Sequence, residues 1–210
     1  DFDPIGLSNV TSTALVVSPS LNVKNVQELI ALARSKPGAL NYYSTGTGTT
    51  SHLGMEIFKS MTGTDMVQVP FKGTADALRE FLAGRVHLSI DGISALLPYI
   101  RDGRIQALAV GTTTRSTVLP EVPTLDEAGL KGFSLFSWGG FLAPAKTPRP
   151  IVNQLNATLN AVLQQPDIGS ALMKLASVPR ASTPDEFRQL IRSEVVRYGE
   201  VLAAAGIERQ

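Results

Sequence analysis

Five short apolar runs, each followed by a turn of small or polar residues, set the frame for this chain. They are Ala14-Leu-Val-Val-Ser18, Leu40–Tyr43, Met66–Val69, Val86–Ile90 and Ile105–Val110. Between them lie stretches in which apolar residues recur three and four positions apart, the period of an amphipathic helix. Asn25 with Glu28 has capping-box spacing, Val26, Leu29, Ile30 and Ala33 form one apolar face, and Pro37-Gly38 ends that helix. Further helices are expected over Thr50–Met61, Ala75–Ala83 and Ser94–Arg101. Strands alternating with helices in this way predict an α/β unit, with a parallel sheet covered on both faces, over about residues 19–115.

The turn after the second run carries the most chemistry. Leu40–Tyr43 leads into Ser44-Thr-Gly-Thr-Gly-Thr-Thr-Ser51, and Leu53, Ile57, Phe58 and Met61 then mark a helix. A strand-to-helix turn of small residues aims backbone N–H groups and hydroxyls at one point, on the positive end of a helix dipole. The simpler alternative is a tight turn whose Thr49 or Thr50 only caps the helix. A run of small polar residues this long exceeds what a cap requires, which favours an anion site built from Ser44, Thr45, Gly46, Thr47, Gly48, Thr49, Thr50 and Ser51.

Two nucleotide motifs do not fit. The lysine that closes a P-loop is replaced by Thr49. A dinucleotide turn calls for an acid after the next strand, whereas Asp65 precedes that strand and Pro70-Phe71 follow it.

Two other turns, Phe71–Thr74 and Asp91–Ser94, end consecutive expected strands. In an open parallel sheet they share one edge with the glycine-rich turn. Lys72 is a candidate to balance a carboxylate, or else a solvated turn lysine. Asp91 is a candidate acceptor for a ligand ammonium or hydroxyl, or else the cap of the next helix. His52 and Glu56 are four apart on one helix, but the second histidine, His87, falls inside a strand and no acidic cluster joins them. No metal is therefore expected. No Gly-x-Ser-x-Gly elbow and no paired carboxylates are present, which leaves little for nucleophilic or acid–base catalysis, and no cofactor is expected. His52 is read as steadying the loop.

Composition narrows the partners. Lys plus Arg total 19 against 18 Asp plus Glu, so neither nucleic acid nor an anionic membrane is an expected partner. Cysteine is absent, which excludes disulfides and thiolate sites. No apolar run is long enough to span a bilayer.

Past Arg115, prolines crowd a region with one long strand candidate, Phe133–Leu142. Thr183-Pro-Asp-Glu186 then starts a long helix that carries Phe187, Leu190, Ile191, Val195, Tyr198 and Leu202 on one stripe. Trp138 precedes Gly139-Gly140, and these glycines permit close approach by another segment or a ligand. Trp138 is a candidate wall of a binding cleft, or a core residue beside a bulge. Residues 1–18 and 116–210 have too few strands for a sheet of their own and are expected to be part of a second lobe. Its N-terminal part is expected to be absent from this chain, which begins as if in the middle of a domain. Chain crossings near Ser18-Pro19 and Thr112–Arg115 are the expected hinge.

Taken in order, Ser44-Thr-Gly-Thr-Gly-Thr-Thr-Ser-His-Leu53, Val69-Pro-Phe-Lys-Gly73, Ser89-Ile-Asp-Gly92, Ala107-Leu-Ala-Val110, Leu119-Pro-Glu-Val-Pro-Thr124, Ser137-Trp-Gly139 and Leu142-Ala-Pro144 resemble the Bug family, the periplasmic solute receptors of the tripartite tricarboxylate transporter system. The resemblance covers essentially the whole chain. It implies a two-lobed periplasmic-binding-protein-like α/β fold of type II. It also implies a non-enzymatic receptor, exported behind an upstream signal peptide, that captures a di- or tricarboxylate, an acidic amino acid or an aromatic carboxylate for membrane transporter subunits. The expected form is a monomer unless another chain supplies the missing segment. Phe71 and Gly139 depart from the family's usual tyrosine and aromatic residue, so the identity of the ligand does not carry over. A carboxylate-sensing module and an enzyme built on the same turn are the competing readings.

Overall fold

The computed structural model describes residues 1–207. Its elements are β1 (Phe2–Val17), α1 (Val26–Ser35), β2 (Asn41–Ser44), α2 (Thr50–Thr62), β3 (Val67–Pro70), α3 (Thr74–Leu82), β4 (Leu88–Gly92), α4 (Ile93–Arg101) and β5 (Gln106–Val110). β6 (Phe136–Pro144), α5 (Arg149–Leu163), α6 (Pro166–Lys174), β7 (Ser177–Pro179) and α7 (Pro184–Ala204) follow. From α1 to β5 the expected elements appear within a residue or two of their sequence boundaries, whereas β1 is far longer than expected and β6 starts three residues later. Capping chemistry places the helix starts. Asn25 Oδ1 accepts from Glu28 N–H at 2.9 Å, and Glu186 N–H donates to Thr183 Oγ1 at 3.2 Å while Glu186 Oε2 accepts from Thr183 N–H at 2.8 Å.

The chain forms two compact units, Asp1–Thr11 with Ser137–Glu200, and Ser12–Phe136 with the residues from Val201. This moves the expected boundaries. β1 is not a short strand beginning at Ala14 but one strand of 16 residues. Its polar middle, Thr11-Ser-Thr13, reads as a break in sequence, yet ladder hydrogen bonds to partner strands hold it extended. Residues 116–136 also pack with the unit that carries the glycine-rich turn. Val110 N–H donates to Pro123 O and Leu125 N–H to Val110 O, and Leu125, Leu130, Phe133 and Leu135 are buried. The chain therefore passes between units at Thr11–Ser12, Phe136–Ser137 and Glu200–Val201, not near Ser18-Pro19 and Thr112–Arg115.

In the Ser12–Phe136 unit the strand order is β3-β2-β4-β1-β5. β2 runs parallel to β3 and to β4, as expected. β1 differs, lying antiparallel between β4 and β5 with Thr13 opposite Gly92 and Ala14 opposite Val110. The sheet is therefore mixed. Leu15, Val16, Tyr42, Tyr43, Leu88, Ile90 and Ala109 are fully buried within it.

α2 packs against β4 through Gly54. A Cβ there would lie 2.5 Å from Leu135 Cδ2 and 3.2 Å from Ile90 Cβ. The tip of Leu135 can rotate away, but Ile90 Cβ is fixed to its backbone. Gly54→Val is expected to destabilise this unit by about 1–3 kcal/mol through overpacking, read as a lower urea midpoint. An unchanged midpoint would show that α2 can shift on the sheet.

In the other unit, β6 and β7 both pair with β1. Asn156 Nδ2 donates to the carbonyls of Ile5 and Ser182, each at 2.7 Å, and so ties α5 to β1. Among the described residues no helix is long and apolar enough to cross a membrane.

Candidate anion-binding turn

Parallel β2, β3 and β4 end at Ser44, Pro70 and Gly92, which puts their turns on one sheet edge. Phe71 N–H donates to Ser44 O at 2.8 Å and joins the first two turns directly. Ser89 Oγ donates to Tyr43 O at 2.8 Å and ties β4 to β2 just below the third. The edge therefore gathers Ser44–Ser51, Lys72 and Asp91. Trp138 is in the other unit, where its ring meets Phe187 edge-on at 5.5 Å.

The glycine-rich turn is built by its own side chains. Gly46 and Gly48 have φ of 127° and 76°, in the region where side chains other than glycine are strained. Thr49 Oγ1 donates to Gly46 O at 2.7 Å, and Thr49 N–H donates to the same carbonyl at 3.3 Å. Ser51 Oγ accepts from Thr45 N–H at 2.9 Å. Gly48 N–H donates to His52 Nδ1 at 3.1 Å.

These bonds change the expected division of labour. Ser44 is fully buried and its hydroxyl accepts from Gln68 Nε2 at 2.7 Å, bracing β2 against β3. Ser51 is also buried and organises the turn from within. The N–H groups of Thr45, Gly48 and Thr49 are used inside the turn. Those of Gly46, Thr47, Ser51 and His52 donate to no protein acceptor among the described residues. Thr49 precedes α2 without capping it by side chain. Thr47 and Gly48 form the exposed tip, Thr45, Gly46, Thr49 and Thr50 are half-buried, and Lys72 is exposed. Orphan donors at the positive end of a 13-residue helix can hold an anion without any further group.

Asp91 sits differently from an open acceptor. Its Oδ1 accepts from Gly92 N–H at 2.8 Å, and its Oδ2 is buried with no hydrogen-bond partner. Burial raises its carboxyl above the usual range, while Gly92 N–H and the nearby hydroxyls of Tyr43 and Thr74 act the other way. Tyr43 is itself fully buried, and burial, then the Asp91 charge, raises its phenol. Raising Asp91 weakens the repulsion it exerts on a neighbouring anion. Sequence reading missed the Tyr43–Asp91–Thr74 grouping, because the three come from separate elements. It also missed Gly111, whose closeness to β1 has no local sequence signal.

Behind the turn, Tyr42 Oη donates to Glu56 Oε1 at 2.6 Å and Lys59 Nζ donates to the same oxygen at 2.8 Å. Glu56 is thus engaged by β2 and by its own helix. His52, expected to steady the loop, does so through Nδ1. Beside Trp138, a Cβ on Gly140 would lie 2.6 Å from Phe187 Cε1 and 2.9 Å from Gly6 O, and one on Gly139 2.6 Å from Asn9 Oδ1. The two glycines therefore admit β1 and α7, another segment of the protein.

A family model described as tripartite tricarboxylate transporter family receptor matches residues 1–207. BugT of Bordetella pertussis is 32% identical over 206 residues, covering 98% of this chain and 63% of that protein. A protein of R. palustris solved with adipate superposes with a TM-score of 0.91 at 38% identity, covering 99% of this chain and 69% of its own. MatC from Rhodopseudomonas palustris with bound malate gives 0.86 at 32% identity, covering 96% and 70%. The chain spans about 60% of the length of the first two curated relatives it matches.

Proposed function

This chain belongs to the tripartite tricarboxylate transporter receptor family, and we propose that its protein is a non-enzymatic periplasmic receptor that captures a small organic carboxylate for a membrane transporter. The observation that carries this reading is the turn after β2. It sets the N–H groups of Gly46, Thr47, Ser51 and His52 at the start of α2, with the hydroxyls of Thr45 and Thr47 on the same turn and exposed Lys72 on the adjoining one, while Thr49 donates its hydroxyl proton to Gly46 O. A carboxylate accepts several such bonds at once, and each is stronger for being charge-assisted. That solved relatives hold adipate and malate supports a carboxylate over an inorganic anion.

Asp91 lies behind this site, close to the hydroxyls of Tyr43 and Thr74, while Ser89 Oγ on Tyr43 O keeps the β2 and β4 ends together. Ser44 and Ser51 serve it as scaffold. Titration calorimetry of the intact receptor with adipate and malate is expected to give saturable binding to one site. Silence toward both, and toward a wider carboxylate screen, would overturn the reading and favour a module that recognises protein alone.

We infer further that the unit of Asp1–Thr11 and Ser137–Glu200 is one part of a larger lobe, completed by residues outside these 210. Phe141 and Leu142 on β6, Ile151 and Leu155 on α5, and Leu175 are exposed, and no residue of α6 is buried. Large apolar side chains in such number are the pattern of a face that packs against further chain.

A further inference from the structure

We propose that His52 is a pH-sensitive positioning residue, which holds the anion-binding turn in its binding shape only while its imidazole is neutral. The inference rests on the carboxylate reading for its effect on ligand, and on this chain's own geometry for the contact itself. Gly48 N–H donates to His52 Nδ1 at 3.1 Å, so Nδ1 carries a lone pair and the neutral ring bears its proton on Nε2. His52 is only 2% exposed, whereas Gly48 is at the exposed tip. A buried ring thus grips the outermost part of the turn.

The other bonds of the turn do not replace this one. Thr49 closes onto Gly46 O, and Ser51 Oγ holds Thr45 N–H. Neither reaches Gly48, which sits at a φ of 76° with open space around it. Protonating Nδ1 sets two donors face to face. The Gly48 bond is lost, the tip is released, and with it the placement of Thr47 N–H beside it.

The charges around His52 are known. From α2 itself, Glu56 favours the charged ring and Lys59 opposes it. From β2, Tyr42 donates to Glu56 at 2.6 Å, and β4, which α2 also packs on, carries Asp91 with its Oδ1 held by Gly92 N–H. Burial outweighs these and lowers His52 from its ordinary value of 6.5. The stabilising effect of the neutral ring is therefore complete above pH 6.5 and is lost as pH falls through the lower folded value.

Two substitutions separate this role from simple packing. In His52→Asn, Oδ1 stands where Nδ1 stood and accepts from Gly48 N–H without titrating. In His52→Leu the acceptor is gone. On the 15N-labelled intact receptor, the imidazole resonances are expected to report the Nε2–H tautomer at neutral pH, and the Gly48 amide to shift with the same midpoint as the ring. His52→Asn is expected to keep Gly48 protected from exchange at acidic and neutral pH alike, and His52→Leu at neither.

Calorimetry with adipate is expected to show wild-type affinity falling by about tenfold more than that of His52→Asn between neutral pH and about one pH unit below the imidazole midpoint read from the resonances. Because both proteins meet the same adipate, its own protonation cancels. His52→Leu is expected to bind about tenfold more weakly than wild type at neutral pH. The proposal is overturned if His52→Asn follows the wild-type pH profile, if His52→Leu binds as wild type does, or if the Gly48 amide ignores the ring's titration. If adipate, malate and the wider carboxylate screen all fail to bind, the receptor reading falls, while the imidazole and amide resonances still decide the contact; if another carboxylate of that screen binds, it replaces adipate in the calorimetry.

Discussion

Gly111→Ala is expected to destabilise the unit of Ser12–Phe136 by roughly 3–5 kcal/mol, enough to lower its melting temperature by on the order of 10 °C. Gly111 follows β5 and is buried where three segments meet. Its N–H donates to Thr13 O at 2.9 Å and its carbonyl accepts from Leu135 N–H at 2.7 Å. A Cβ at this position would overlap Thr13 Oγ1 and come within 2.8 Å of Leu135 O.

Neither neighbour can yield easily. Leu135 O is backbone, and Thr13 is fully buried with its hydroxyl donating to that same carbonyl at 2.9 Å. The methyl group therefore adds an overpacking cost of about 1–3 kcal/mol. It also breaks a buried hydrogen bond, which costs about 1–3 kcal/mol when its partners go unsatisfied. Gly73→Ala is the matched control, since a Cβ there meets nothing within 4 Å. It is expected to change stability by no more than about 0.5 kcal/mol. Thermal unfolding followed by circular dichroism suits both variants, because Trp138 lies in the other unit and its fluorescence reports the wrong one. Equal melting temperatures for Gly111→Ala and wild type would mean that the Gly111–Thr13–Leu135 junction is looser than described.

Gly48→Val is expected to weaken carboxylate binding by about 100-fold while leaving the fold intact. Nothing lies within 4 Å of a Cβ built on Gly48, so core packing does not enter. The left-handed φ of 76° strains a non-glycine residue by about 1–2 kcal/mol, a modest loss for the whole unit. Binding suffers more, because an isopropyl group at the exposed tip stands in the approach to the turn. Loss of one or two charge-assisted bonds at about 1.5–3 kcal/mol each accounts for a change of this size. Calorimetry with adipate, alongside circular dichroism to verify the fold, checks the expectation. Unchanged affinity would remove Gly46–Ser51 from the site.

Much of this protein was legible residue by residue. The run Ser44–Ser51 announced a turn that needs glycine, and Gly46 and Gly48 do take positive φ. Thr183-Pro-Asp-Glu186 announced a capping box, and both of its bonds form. The alternation of apolar runs with helical stripes placed β2 to β5 and α1 to α4 in order. These features are local, since caps, turns and periodicity act over a few residues and leave their mark in adjacent positions.

Other features depended on which distant segments come together. The apolar run suggested a strand only from Ala14, but pairing with β4, β5 and β7 carries β1 back through the polar residues Thr11-Ser-Thr13. Ser44 and Ser51 looked like ligand hydroxyls, but the fold turns both inward. Asp91 looked open, yet Tyr43 from β2 and Thr74 from α3 close around it. The α/β class and the glycine positions of the turn could be read from the residues alone, because both rest on short-range spacing, and the family from the order of motifs along the chain. The antiparallel place of β1, the unit boundaries and the set of turn N–H groups without a protein acceptor emerge only from the folded chain. Strand pairing and burial are contacts between residues far apart in the chain, and no local pattern encodes their partners.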